Sequence, residues 1–397
     1  MERFSDKLNS IGRAVEPSKT LAVTALAARL KSEGRDIISL TAGEPDFRTP
    51  APVAEAGIAA IRTGATRYTA AAGEPALRKA IAEFYAQRLG LPLAAENVCV
   101  SSGAKPLLYY LMCILLEPGD EVLFPVPYWV SYAAMVTMKG GVPVAVPTDY
   151  ASDHKLDARR LAEAAGPRAK ALLLNNPTNP SGAVYTRAEL EAIAAVVREK
   201  DLILIADEIY EDLVYGDTPH QSCYNLAAWL PERTVLVSGF SKSYAMTGWR
   251  LGYAIAEAGL IKALASYQSQ ALSSPSQISQ RAALAALGEG RESVEPMRQA
   301  FARRRSLCVE RMRRVGLPFI EPRGAFYLFF DTMPLCEQRG WADGQEFCTA
   351  LLEAEGLALV PGDAFGMPGW ARLSFAASDD ELTAAFDRLE RFVGVVV

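Results

Sequence analysis

Two histidines, His154 and His220, are all that 397 residues supply. Chemistry built on a histidine triad or a His/Cys zinc cluster therefore has little to draw on. Both histidines read as loop residues rather than catalysts. The six cysteines, at 99, 113, 223, 308, 336 and 348, lie far apart with no CxxC pair. That spacing predicts no metal site and no disulfide framework, and it suits reduced thiols in a cytoplasm. The longest apolar run, residues 107–116, is ten residues long, whereas a membrane-spanning helix needs about 20. The first ten residues, MERFSDKLNS, lack the apolar core of a signal peptide. A net charge of -5 gives no electrostatic case for nucleic acid or an anionic membrane as partner. No GxGxxG follows a strand-like run and no Walker A sequence occurs, which weighs against nicotinamide, flavin or a P-loop nucleotide.

What is present is ordinary for a globular enzyme: half the residues are hydrophobic and 22% charged. The length allows two domains, or one with an appendage. Residues 20–33, 51–62 and 74–89 predict helices. From residue 97 a regular alternation begins. Apolar runs at 97–101, 121–125, 142–146, 169–174, 202–206, 234–238 and 251–255 suit strands buried on both faces. Helix-like stretches at 106–116, 129–138, 157–165 and 187–199 separate many of them. The pattern predicts an α/β fold with a mostly parallel seven-stranded sheet covered by helices. After a long arginine-rich helix (291–315) come short strands at 325–330, 357–360 and 372–375, which predict a smaller α+β domain joined by the N-terminal segment. The expected division is 46–290 for the large domain, and 1–45 with 291–397 for the small one. Arg303, Arg304, Arg305, Arg311, Arg313 and Arg314 predict a solvated helix face rather than a nucleic-acid surface.

Ligands of open α/β sheets sit outside the carboxyl ends of the strands, and those ends carry chemistry here. Lys242 follows the run 234–240, beside Ser241 and eight residues before Arg250. A flexible amine beside hydroxyl and guanidinium groups is what a Schiff-base lysine for pyridoxal phosphate requires. Asp207 ends an apolar run, where a carboxylate is costly unless it meets a cation. The protonated pyridine nitrogen of pyridoxal phosphate is such a cation; capping of the following turn is the alternative. Tyr210, three residues on, and Asn179, in a loop stiffened by prolines, can reach the phenolic oxygen. Gly103 and Ala104 precede a helix whose free N–H groups suit a phosphate. Trp129, just past a strand, can stack on a planar ring or simply fill core.

Together these segments resemble class I aminotransferases of pyridoxal phosphate (PLP) fold type I, and within them the bacterial aspartate and aspartate/prephenate group. The resemblance rests on TAGEPDF (41–47), RYTAAAGEPALR (67–78), SSGAK (101–105), PYWVSY (127–132), NPTNPSGAVY (176–185), DEIYEDLVYGD (207–217), SKSYAMTGWRLGY (241–253), RGAFYLF (323–329) and ARLSFA (371–376). It implies that Lys242 carries the Schiff base and shuttles the proton, and that Asp207 pairs with the ring nitrogen. It implies that Asn179 and Tyr210 hold the phenolic oxygen, and that Trp129 stacks on the ring. Gly103, Ala104, Ser241 and Arg250 would hold the phosphate, with Tyr68 reaching the phosphate of the other subunit of a homodimer. Arg372 would fork onto the substrate α-carboxylate, with the Gly43 N–H nearby. The family also implies cis peptides before Pro127 and Pro180.

For substrate choice, the resemblance gives Lys105 the distal carboxylate and places Ser18 and Thr20 in a segment that closes over the substrate. Lys19, between them, departs from that pattern by adding a charge. The expected activity is transfer of an amino group between an amino acid and a 2-oxo acid, both dicarboxylic. A PLP-dependent lyase, replacement or cyclisation enzyme on the same fold is the alternative.

Overall fold

The computed structural model describes residues 4–394. Its strands in chain order are β1 (Ile38–Ser39), β2 (Val98–Ser101), β3 (Glu121–Pro125), β4 (Val142–Val146), β5 (Ala169–Asn175), β6 (Ile203–Asp207), β7 (Thr234–Gly239), β8 (Gly252–Ile255), β9 (Phe319–Ile320), β10 (Tyr327–Asp331), β11 (Leu357–Ala358), β12 (Val360–Pro361) and β13 (Trp370–Ser374). Seven of them form one sheet in the order β2-β8-β7-β6-β5-β3-β4. Only β8 runs against its neighbours. All seven strands expected from the sequence are present in this sheet.

The inner strands of the sheet are buried on both faces because their middles are apolar at successive positions, not at alternate ones, whereas the edge strand β4 is only partly covered. Ala171, Leu173, Ile205, Val235 and Val237 face one way. They pack with Leu107, Leu108 and Leu111 of the helix Ala104–Leu115 and with Leu264 of the helix Ala258–Ala271. Leu172, Leu174, Leu204 and Ala206 face the other way, against Leu190, Ile193 and Val197 of the helix Arg187–Glu199. That helix starts at a capping box in which Thr186 and Glu189 satisfy each other's backbone donors. Because β2, β3, β5, β6 and β7 are co-directional, Ser101, Pro125, Asn175, Asp207 and Gly239 finish at one edge. The register pairs Asn175 with Asp207 across that edge.

The C-terminal part builds a second, antiparallel sheet in the order β12-β13-β10-β9. Arg372 sits at its centre, opposite both Phe329 and Val360. The N-terminal segment joins here: β1 pairs in parallel with β11, Ile38 against Leu357. The expected strand 357–360 is thus two strands in different sheets, and β1 and β9 are additions to the expected set.

The long helix Val294–Val315 corrects the solvated-face expectation. Arg304 and Arg311 are buried. Arg304 grips Asp46 through both terminal nitrogens, at 2.7 and 2.8 Å, and reaches Asp379 at 3.1 Å. Arg311 bonds Glu390 and Asp387, each at 2.6 Å. Arg303, Arg313 and Arg314 remain exposed as expected, while the buried pair ties Asp46 and the C-terminal helix to this one. The two histidines do lie in loops. His154 is wedged edge-on against Trp370 at 4.9 Å, with its Nδ1 3.0 Å from the Thr148 hydroxyl, and burial pushes its pKa down to about 4.

Candidate active site

A cavity of about 520 Å³ opens at the shared edge of the large sheet. Its lining includes Ser18, Thr20, Gly43, Ala104, Lys105, Trp129, Asn179, Asp207, Tyr210, Ser241, Lys242, Arg250 and Arg372. Of the residues singled out from the sequence, only Gly103 and Tyr68 stand outside this lining. Gly103 is immediately behind it. Tyr68 is 88% exposed.

The charged lining comprises four cations, Lys105, Lys242, Arg250 and Arg372, against two carboxylates, Glu44 and Asp207. Arg372 is 2% exposed. Its terminal nitrogens donate to Asn179 Oδ1 at 3.0 Å and to the Thr41 carbonyl at 2.9 Å. Its Nε has no partner, and no carboxylate pairs with it among the described residues. The guanidinium lies 4.3 Å from the ring centre of Tyr327 and 5.0 Å from that of Phe365. Burial pulls its pKa down. A buried cation faced only by neutral acceptors is the complement of an anionic ligand.

Asp207 is 5% exposed. Tyr132 donates to its Oδ2 at 2.6 Å and the Ile209 N–H reaches Oδ1 at 3.3 Å. Burial raises its pKa to about 6 against those two donors. The Asp207 side chain therefore does not cap the turn alone; it lines the cavity as an acceptor held from behind. Asn175 supports it by donating from Nδ2 to the Asp207 carbonyl at 2.9 Å and accepting the Asn179 N–H at 2.7 Å. Asn179 has its oxygen committed to Arg372, so its amide nitrogen is the atom it can offer a ligand. The Tyr210 hydroxyl lies 2.9 Å from that of Tyr327.

Lys242 reaches the Gly43 carbonyl at 2.5 Å. Its amine keeps some solvent contact through the cavity mouth. Even so, enough protein surrounds it for desolvation, with Arg250 and Arg372 adding repulsion, to lower its pKa to about 8 against the pull of Glu44 and Asp207. Gly43 was expected to offer its N–H; the contact it makes here is through its carbonyl. Lys105 is exposed, with its Nζ 4.7 Å above the Trp129 ring centre. Partial desolvation and then Arg250 lower its pKa. Ser18 and Thr20 share a 3.0 Å hydroxyl contact, while the intervening Lys19 is exposed and outside the lining.

The end of the cavity beside Arg250 is built by close backbone approach. Gly103 has φ 105°, and a Cβ there would lie 2.7 Å from Arg250 Nη2. Arg250 itself is left-handed, φ 53°, a conformation that costs a non-glycine residue about 1–3 kcal/mol and persists only where surroundings enforce it. Behind both, the helix Ala104–Leu115 presents its N-terminus. The peptides before Pro127 and Pro180 are cis, as expected, and so is that before Pro177.

Several residues at this site were not assigned from the sequence: Tyr132, Asn175, Tyr327, Thr41 and Glu44. Tyr132 and Tyr327 lay within the motifs PYWVSY and RGAFYLF and could have been found as buried hydroxyls beside charged groups. Thr41 is joined to the helix Lys19–Ser32 by a 2.8 Å contact with the Thr24 hydroxyl, a pairing with no local signal.

Residues 35–389 match the family model for aminotransferases of class I and II. The aspartate aminotransferase of Geobacillus stearothermophilus is 43% identical over 381 residues, covering 96% of this chain and 97% of that protein. The aspartate/prephenate aminotransferase of Thermus thermophilus is 44% identical over 385 residues, with 96% and 97% covered. A structure of aspartate aminotransferase from Thermus thermophilus with maleate superposes at a TM-score of 0.92 and 43% identity, covering 97% of this chain and 99% of that one. The chain belongs to the class I and II aminotransferase family. It has the α/β fold of aspartate aminotransferase and is an enzyme that transfers amino groups.

Proposed function

We propose that this chain is a pyridoxal 5'-phosphate-dependent aminotransferase that moves an amino group between dicarboxylic amino acids, aspartate or glutamate, and 2-oxo acids such as 2-oxoglutarate. The observation that carries it is the unpaired, buried Arg372 in a cavity whose four cations exceed its two carboxylates. That excess suits an anionic ligand, as a phosphate and carboxylates together would be. The donor set fits the cofactor. Lys242 would hold its aldehyde carbon, Asp207 its ring nitrogen, Asn179 and Tyr210 its phenolic oxygen, and Trp129 its ring face. Gly103, Ala104, Ser241 and Arg250 would hold its phosphate. Relatives named aspartate aminotransferase, and one determined with maleate, a four-carbon dicarboxylate, support the substrate class.

Pyridoxal phosphate, when bound, supplies a ring that accepts the electron pair left by the broken Cα–H bond and carries the amino group between half-reactions. The remaining work falls to side chains. Arg372 grips the substrate α-carboxylate as a fork and so aligns the Cα–H bond with Lys242. Lys242 Nζ takes that proton, a task suited to an amine whose pKa is lowered to about 8. Asp207 stays ionised when it faces a pyridinium cation, which lowers a carboxyl otherwise raised by burial. Lys105, Ser18 and Thr20 would receive the distal carboxylate, and the segment carrying Ser18 and Thr20 would exclude water by closing on it.

The same reading includes a homodimer in which the strongly exposed Tyr68 serves the phosphate of the opposite subunit, and a cytoplasmic location, supported by six free cysteines. It includes a large domain, 46–290, and a small one formed by 1–45 and 291–397, supported by the pairing of β1 with β11. A panel of amino acids, each added to PLP-loaded protein, tests it. Aspartate and glutamate should convert the bound cofactor to the pyridoxamine form. Lys105→Ala should raise KM for aspartate about tenfold while leaving alanine little changed. Release of ammonia without amino transfer would instead identify a lyase.

A further inference from the structure

The turn that follows β6 presents two faces. Asp207 and Tyr210 face the cavity. Their neighbours Glu208 and Glu211 face away from it and are buried, at 0% and 4% exposure. Two carboxylates buried back to back with the cofactor ligands are costly unless donors saturate them. Glu208 Oε1 accepts from the Ser222 hydroxyl at 3.0 Å and the Cys223 N–H at 2.8 Å. Glu208 Oε2 faces His220 Nε2 at 3.0 Å. Glu211 Oε1 accepts from the Tyr85 hydroxyl and, at 2.8 Å, from Ser238, while Arg88 lies 3.7 Å from its other oxygen.

Glu208, Glu211 and His220 lie close enough together to resemble a cation site. The donors just described argue otherwise, since each carboxylate oxygen already faces an N–H, an O–H or a guanidinium. The cluster is closed as a hydrogen-bonded brace. Within it His220 has one polar task. Its side chain is 5% exposed, its Nε2 meets Glu208, and its Nδ1 is buried without a partner. Among the described residues, nothing but Glu208 engages the ring's nitrogens. Glu208 in turn is one peptide from Asp207, and the Glu211 N–H closes the turn on the Glu208 carbonyl at 2.9 Å.

We propose that His220 and Glu208 are positioning residues: the His220–Glu208 contact fixes the back of the turn and so sets where the Asp207 carboxylate and the Tyr210 hydroxyl meet the cofactor. The proposal rests on the assignment of pyridoxal phosphate to the cavity. A carboxylate that must face one ring nitrogen, and a hydroxyl that must face one oxygen, tolerate a displacement of only about half an ångström. A rigid turn is therefore part of the site although neither residue touches it.

The test compares His220→Leu with His220→Gln in the PLP-loaded enzyme. Glutamine Nε2 can occupy the place of His220 Nε2 and donate to Glu208; leucine fills the space without a donor. His220→Leu should weaken PLP binding and lower kcat, each about tenfold, with KM for aspartate within about twofold. It should also shift the absorption band of the bound cofactor. His220→Gln should restore all three. If His220→Leu does not fold, Ser222→Ala removes a donor from the same carboxylate and replaces it in the comparison. A His220→Leu enzyme with a lower melting temperature but unchanged PLP affinity, band and kcat overturns the proposal. So does a Gln variant that fails as badly as the Leu one, or one equivalent of zinc that leaves with His220. Wild-type protein that takes up no PLP removes the cofactor assignment and this proposal with it; wild-type binding with an indifferent His220→Leu removes the proposal alone.

Discussion

Arg372 donates to a carbonyl and a side-chain amide but meets no anion among the described residues, so its substitution tests the substrate's charge and not a structural ion pair. Arg372→Lys keeps a cation and loses the fork; KM for the amino acid should rise about tenfold or more, with the PLP absorption band retained. Lys242 and Asp207 give a pH test in cofactor-free protein. The folded-state pKa of Lys242 falls from 10.5 to about 8, so its contribution to stability is present above its ordinary value and lost as pH falls through about 8. Asp207 is raised from 3.8 to about 6, so its contribution is present at low pH and lost as pH rises through about 6. Between the two, the empty site holds both in unfavourable charged forms. Cofactor-free Lys242→Met should therefore exceed wild type at pH 7 by about 1 kcal/mol, after allowance for the solvent that reaches the amine. The gain should fade between pH 8 and 10.5 in urea titrations. Lys242 and Asp207 were legible because a charge at the end of an apolar run has few bland explanations. Tyr132 was not. A tyrosine in the aromatic-rich stretch PYWVSY looks like core, and only the fold brings it to a carboxylate 75 positions away.

The elements were legible where each strand is apolar on both faces. The seven sheet strands follow from short runs rich in Val, Ile, Leu and Ala, and the helices from the longer stretches between those runs. Two-residue strands such as β1 and β9 have no such signal, because their pairing is decided by neighbours distant in the chain. The loop from β2 into the helix Ala104–Leu115 is the element most exposed to a single methyl group. At Gly103, φ 105° and a 2.7 Å approach to Arg250 combine. Gly103→Ala should displace Arg250, weaken PLP binding about tenfold and cost about 1–3 kcal/mol in urea unfolding. Unchanged PLP affinity in that variant would show that the guanidinium does not need its present place.

At the scale of the molecule, the arginine-rich helix ties distant parts of the chain together, which its charge run concealed. Arginines at neighbouring positions look solvated until their acids, at 46, 379, 387 and 390, are brought in by the fold. Arg304→Met should lower the urea midpoint, with a loss of about 2–4 kcal/mol, because Asp46 is left without its bidentate partner. Kinetic constants of the surviving folded enzyme should change little.

The parallel pairing of β1 with β11 also orders events in time. As the polypeptide leaves the ribosome, the central sheet has all its strands once residue 255 has emerged. β1 must wait for Leu357 and Ala358, and the Thr41 carbonyl, two residues past β1, waits still longer for Arg372. The Arg372–Thr41 contact is therefore among the last parts of the cavity to be assembled, so a nascent chain can hold a finished sheet well before the wall carrying Arg372 closes on it.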